Sequence, residues 1–357
     1  MRLYPALIIC HFCFQETFMT FISLRAIGGA LLAAIASFSS ANAEATHYPL
    51  TLENCGRSIR IDHPPRRIVS IGQSSTEILY RLGLGERVAA TAVWVGPVLK
   101  GYEAEDARVK RLAENDPSFE SVLAEKPDLV TAQFQWHIGP QGAVAKPEQF
   151  GELGIPVYIS PADCLGKDAV AGSDGVRHDR FTMELIYREI LDLAKINDVS
   201  DRGEALVREL KIRETTARAR LASVRSGLSA VFWFSSQKDA DPYVAGRNGA
   251  PGYIMQALGL KNVVETDEEW PTVGWETLAK ANPSLIVAAR MDRRRYPLDS
   301  IEAKRSFLQS DAVASLIPAV RQGHVFELDA QAMNPTIRTI DGIEALADAI
   351  SASDLGK

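Results

Sequence analysis

Short apolar, β-branched runs alternate along most of this chain with stretches whose apolar residues recur every three or four positions. Each run maps onto an element. The segment up to Ile61 reads as a hairpin turning at Asn54-Cys55-Gly56, and Pro64-Pro65 then breaks the chain. Arg67-Ile68-Val69-Ser70-Ile71 predicts a buried strand. A turn follows over 72–75, and a helix over 76–82 sets Ile78, Leu79 and Leu82 on one face before Gly83 stops it. Further strands are expected over 88–95, 128–134 and 156–160, with helices over 119–125 and 147–153 between them. Strand and helix in alternation predict an α/β fold with a largely parallel sheet.

The rhythm then changes. Two helices are expected over 180–195 and 201–225, the second with Leu206, Leu210, Ala217, Leu221 and Val224 as a narrow apolar stripe on an otherwise charged surface. At 1.5 Å per residue it spans roughly 35–40 Å, and so polar a helix suits a bridge between two bodies better than a core. After Gly227 the alternation resumes, with strands over 228–234, 284–289 and 325–328 and helices over 252–258 and 342–351. The halves also share a pattern. Phe119-Glu120-Ser121 and Trp275-Glu276-Thr277 each open an apolar helix, each Glu is followed seven residues later by a Pro (Pro127, Pro283), and a strand comes next. These signals divide the chain into 1–43, a leader; 44–180, a first α/β lobe; 181–226, a helix and the long connecting helix; and 227–357, a second α/β lobe.

Composition bounds the compartment and the partners. The 357 residues are 46% hydrophobic, 24% charged and 8% aromatic, which are globular proportions. No apolar run approaches the about 18 residues that span a bilayer. From Met19 the chain reads as a secretory signal: Arg25, an apolar stretch over 26–38, and Ala41-Asn42-Ala43 as the cleavage site, giving a mature chain from Glu44. Met19 is then the natural start and 1–18 an over-long frame, the alternative being an uncleaved N-terminal anchor. Loss of a leader holding Arg2, Arg25 and Glu16 takes the formal charge from −6 to −7. With no dense basic run beyond Arg293-Arg294-Arg295, nucleic acid is not an expected partner. Cys10 and Cys13 fall in the leader. The remaining pair, Cys55 and Cys164, suits a disulfide in an exported protein, with two separate buried thiols as the alternative.

Several chemistries lack their signatures. There is no G-x-G-x-x-G or phosphate loop, no G-x-S-x-G elbow and no H-x-x-x-H pair, so no resident cofactor, metal or catalytic residue is expected. What is present is a set of aromatic and cationic residues at the predicted C-terminal ends of strands, where open α/β sheets bind ligands. They are Trp94; Trp136 and His137; Trp233 with Tyr243 and Arg247 beyond it; Trp270 ahead of Pro271; Arg290; and Arg338. Together they outline an aromatic cleft for a bulky, partly planar, partly anionic ligand. An enzyme on such a scaffold would need an acid–base pair, and Glu77 with His137 is the available one.

The sequence resembles the periplasmic substrate-binding proteins of ABC importers for iron chelates and vitamin B12. The likeness runs over about 65–350. It rests on Arg67-Ile68-Val69-Ser70-Ile71 with Thr76-Glu77-Ile78-Leu79, on Pro127-Asp128-Leu129-Val130, on the long polar helix, and on Trp270-Pro271 ahead of Trp275-Glu276. The resemblance implies two Rossmann-like lobes joined by one rigid helix, the class III architecture, with the ligand between them. It implies that Glu120 and Glu276 dock on the two subunits of an inner-membrane permease, although each also suits a helix N-terminus. It carries Trp270 over as a pocket residue, and it implies a periplasmic, monomeric, non-enzymatic receptor whose ligand brings a chelated metal such as Fe3+ or Co. The arginines and His137 favour a ferric siderophore; cobalamin and haem remain compatible.

Overall fold

The computed structural model describes residues 44–168, 175–220, 227–237, 241–293 and 295–356. The N-terminal leader, with the expected signal and Cys10 and Cys13, lies outside the described residues, as do Leu221 and Val224 of the expected long helix.

The chain opens with an antiparallel hairpin, β1 (Leu50–Asn54) and β2 (Arg57–Ile61), turning at Asn54-Cys55-Gly56 as expected. The first lobe follows: β3 (Ile68–Ile71), α1 (Gln73–Arg81), β4 (Val88–Ala92), α2 (Glu103–Asp106), β5 (Lys110–Ala113), α3 (Phe119–Ala124), β6 (Leu129–Ala132), α4 (Pro147–Gly151) and β7 (Val157–Ile159). Its sheet has the order β5-β4-β3-β6-β7 and every neighbouring pair is parallel. Helix α1 starts three residues earlier than the pattern predicts. Gly72, at φ +136°, makes the sharp exit from β3, and a Cβ there would sit 2.2 Å from the Gln133 Cβ. Strand β5 was missed because an edge strand opening Lys110-Arg111 has no apolar run to betray it.

Two short strands, β8 (Lys167–Asp168) and β9 (Val176–Arg177), pair antiparallel. Helices α5 (Met183–Ile196) and α6 (Ser200–Arg220) come next. The second lobe holds β10 (Ser229–Ser236), β11 (Pro242–Val244), α7 (Ala250–Ala257), β12 (Lys261–Asn262), α8 (Trp275–Ala281), β13 (Leu285–Arg290), α9 (Ile301–Ser310), α10 (Pro318–Arg321), β14 (Val325–Asp329) and α11 (Thr339–Ala352). Its sheet runs β11-β10-β13-β14, with β12 pairing β10 and only β11 antiparallel. The repeated pattern has a structural meaning: α3 leads into β6 beside β3, and α8 leads into β13 beside β10.

Each sheet packs one face on a cluster of its own, with Val69, Val130 and Phe150 in the first lobe and Val231, Trp233, Trp275 and Ile286 in the second. Their other faces share one continuous cluster that includes Ile68, Ile190, Leu210, Phe232 and Ile343. Helix α6 lies on this shared cluster with only Gly203, Leu206, Val207, Leu210 and Ala217 buried. Gly203 allows the approach to α5, since a Cβ there would meet that of Ala194 at 2.5 Å. The helix ties to both lobes: Arg202 donates to the Leu82 carbonyl (2.9 Å) and Glu209 pairs with Arg81 (2.7 Å). Farther along, Arg213 pairs with Glu344 (2.6 Å) and Arg220 with Asp348 (2.8 Å). The Cys55–Cys164 disulfide forms, fastening the N-terminal hairpin to the first lobe at the turn beyond β7.

Candidate functional site

Between the two lobes, at the C-terminal ends of their parallel strands, lies a cavity of about 510 Å³. That volume sits within the usual range for ligand sites. The first lobe contributes the segments after β4, β5, β6 and β7, and the second the end of β10, Tyr243 of β11 and the segments after β12, β13 and β14. Consecutive parallel strands all deliver their loops to one end, so the two sheets face each other across these loops.

In the first lobe the segment 134–137 leaves β6 and folds back, with Ala143 and Val144 donating to the Trp136 and His137 carbonyls at 3.0 Å. This presents Trp136, 38% exposed, while His137 is 4% exposed beneath it. His137 Nε2 lies 3.0 Å from Asp116 Oδ1, and this hydrogen bond holds the Asp116 carboxyl below its ordinary range despite partial burial. In the second lobe Trp270 packs on Phe234 at 4.8 Å between ring centroids, and Tyr243 lies 6.3 Å from Tyr296. Buried Asp299 accepts from the backbone N–H groups of Arg295 (2.7 Å) and Tyr296 (2.9 Å) and from the Ser235 hydroxyl. One carboxylate thereby fixes the loop that brings Arg293, Arg295 and Tyr296 to the cavity.

The structure gathers Trp136, His137, Tyr243 and Trp270 at this cavity and puts the other five sequence candidates elsewhere. Trp94 is buried in the first lobe under Arg111, whose guanidinium lies 4.0 Å from its ring centre. Trp233 is fully buried in the second lobe's own cluster, edge-on to Trp275 at 5.0 Å. Strand β10 runs on to Ser236, so Trp233 is inside the strand and its neighbour Phe234 takes the cleft side. Arg247 is on the surface, paired with Asp267 at 2.7 Å beside a separate cavity of about 410 Å³. Arg290 is the exposed last residue of β13. Arg338 joins the lobes below the cleft: its Nε lies 2.8 Å from Glu77 Oε2 and its Nη1 2.9 Å from Asp329. Glu77 is thus committed to Arg338 and not to His137.

Sequence reasoning missed Phe134, Phe234, Arg293, Arg295 and Tyr296, which line the cavity. The signal was there in part. Arg293 and Arg295 belong to the one dense basic run, and strand-end logic reaches them once β13 is extended to Arg290. The ionisable lining is close to balanced, four carboxylates (Asp116, Asp163, Glu268 and Glu269) against three cations (Lys167, Arg293 and Arg295). Among the described residues no group of His, Cys, Asp and Glu is arranged to hold a metal ion. Glu120 and Glu276 each sit exposed in the first turn of their helix, α3 and α8, one per lobe.

The profile described as periplasmic binding protein matches residues 68–332, and the chain belongs to that family, the substrate-binding components of ABC transporters. An uncharacterised ABC transporter substrate-binding lipoprotein, YvrC, of Bacillus subtilis is 24% identical over 314 residues, covering 87% of this chain and 88% of its own. A vitamin B12-binding protein of Vibrio parahaemolyticus is 25% identical over 286 residues, 79% of this chain and 88% of its own. Among solved structures, a periplasmic binding protein from Veillonella parvula superposes with a TM-score of 0.69 at 22% identity, covering 84% of this chain and 97% of that one. That likeness is one of fold: two lobes with parallel sheets, as the sequence led us to expect.

Proposed function

We propose that the protein is an exported receptor that holds a large, near-neutral metal chelate between Trp136 and Trp270 and hands it to an ABC permease. A corrinoid is the leading ligand. The observation that carries this reading is the cleft wall itself: aromatic faces from both lobes, carboxylates and cations in near balance, and amide side chains among the lining in Asn115, Gln135, Gln141 and Asn334. A corrin ring edged with carboxamides matches such a wall in both shape and hydrogen bonding. A ferric catecholate, which carries several negative charges, does not. Three arginines weigh for an anionic siderophore in the sequence, and none of Arg247, Arg290 and Arg338 lines the cavity. The vitamin B12-binding relative supports the same choice. Haem stays a defined outcome of the test, since Arg293 and Arg295 would suit its two carboxylates.

Glu120 and Glu276 are read as the docking pair for the two permease subunits, one exposed carboxylate per lobe on equivalent helices. The receptor is read as a monomer in the periplasm, released by cleavage after Ala43, and as a carrier that leaves its cargo unchanged. N-terminal sequencing of the exported protein checks the cleavage. The ligand is tested by titrating intrinsic tryptophan fluorescence with cyanocobalamin, hemin and a ferric catecholate. Saturable quenching by cyanocobalamin is expected. Saturable quenching by hemin or the catecholate alone overturns the near-neutral ligand.

A further inference from the structure

One ion cluster in the cleft wall belongs to neither lobe alone. Lys167 Nζ lies 2.7 Å from Asp163 Oδ1 and 2.7 Å from Glu269 Oε2. Arg177 Nε lies 3.4 Å from the other Glu269 oxygen, and its Nη2 donates to the Ala162 carbonyl at 2.6 Å. No side chain of the four is more than 8% exposed. Asp163 sits in the first lobe, in the turn that follows β7, and its second oxygen accepts from the Gln135 backbone N–H (2.6 Å), two residues before His137. Glu269 sits in the second lobe, next to Trp270. Two cations and two anions thus close a buried, balanced quartet across the cleft.

The backbone follows the same route. Val176 of β9 bridges Glu268, the Arg177 N–H donates to the Asp267 carbonyl at 3.1 Å, and the Asn248 side chain donates to the Arg177 carbonyl at 2.7 Å. The loop that ends in Trp270 is therefore held by residues that enter from the first lobe, just past Cys164 and its disulfide to Cys55. Burial alone would weaken the Lys167 ammonium, yet Asp163 and Glu269 outweigh it and hold the group above its ordinary range. Burial likewise opposes the Glu269 carboxylate, and Lys167 and Arg177 together keep it below its ordinary range. Removing the one ammonium shared by both carboxylates leaves buried charge uncompensated, which is far costlier than losing an exposed pair.

We propose that Lys167 is a positioning residue: by neutralising Asp163 and Glu269 together it ties the lobes across the cleft and holds the Trp270 wall in register for the ligand. The second half of this statement rests on the cleft being the ligand site; the tie itself does not.

Amide hydrogen exchange on the native protein, Lys167→Met and Lys167→Arg separates the two. Lys167→Met is expected to speed exchange at least tenfold at Arg177, Gly246 and Glu269, whose N–H groups bond along this loop, while Val130 and Ile286 in the sheet centres keep native protection. Lys167→Arg is expected to restore it. Native exchange at Gly246 and Glu269 in a folded Lys167→Met overturns the tie, and so does acceleration that reaches the sheet centres equally. If Lys167→Met does not fold, Glu269→Gln gives the same reading on the same amides. With cyanocobalamin as the probe, affinity is expected to fall at least tenfold in Lys167→Met and to return in Lys167→Arg. Unchanged affinity removes the positioning role. A native protein that does not bind cyanocobalamin overturns the corrinoid reading, and the exchange result still decides the tie.

Discussion

The two lobes share one folding unit but furnish the cleft differently. The first lobe reaches it through the segments after β4, β5, β6 and β7 and offers one exposed indole, Trp136, above a buried His137 that pairs with the exposed Asp116. The second lobe gathers Phe234, Tyr243, Trp270 and Tyr296 from four separate stretches of chain, each braced by another ring. Duplicated topology therefore does not duplicate the site. The second lobe presents apolar surface, which on the proposed reading carries affinity through area and shape. The first presents a more polar face, which on the proposed reading sets orientation. Glu120 and Glu276 show the opposite behaviour: they keep equivalent places on α3 and α8, which is what the proposed docking on two like permease subunits requires.

That contrast can be broken in graded steps. The largest effect is expected from Glu120→Ala with Glu276→Ala: cobalamin uptake in cells falls to background while the purified protein keeps its affinity. A matching loss of affinity refutes docking. Next comes Trp270→Ala, which removes a braced aromatic wall. About 2 kcal/mol of lost burial, roughly a thirtyfold weaker Kd by calorimetry, is expected, and Trp136→Ala should cost less because that indole is partly in solvent. A larger loss at Trp136 would reverse the division of labour between the lobes. Smaller again is Arg295→Gln, expected within about threefold for a near-neutral chelate and about tenfold or more for an anionic one.

The smallest effect concerns stability. Glu189 of α5 is fully enclosed in the first lobe, hydrogen-bonded by the Ser75 (2.8 Å) and Ser160 (2.5 Å) hydroxyls, and burial pushes its carboxyl up to about 7. The folded state holds this proton more tightly than the unfolded chain does. Its contribution to stability is thus full below the ordinary glutamate range, about pH 4, and is lost as pH rises through about 7. Urea unfolding at pH 5 and pH 8 should show Glu189→Gln flattening that decline; an unchanged difference between the two pH values would clear Glu189 of the role.

How much of this was readable from residues alone differs between fold and site. Parallel strands covered on both faces are mostly apolar, so β3, β6, β10 and β13 announce themselves. Edge and two-residue strands such as β5, β8 and β9 carry no such run, and the tie through Lys167 and Arg177 was invisible for that reason. At the site, counting from strand ends located Trp136, His137, Tyr243 and Trp270. It failed at Trp233 and Arg290, where the strand continues past the expected end and alternation decides which neighbour faces the cavity. It failed at Arg338 because loop trajectory, which local pattern does not encode, turns that side chain down to Glu77.

The most direct measurement is a co-crystal structure of the exported protein grown with saturating cyanocobalamin. The corrin is expected between Trp136 and Trp270, with its carboxamides facing the amide side chains of Asn115 and Asn334. Corrin density anywhere else on the molecule, or an empty cleft at saturation, would contradict this placement.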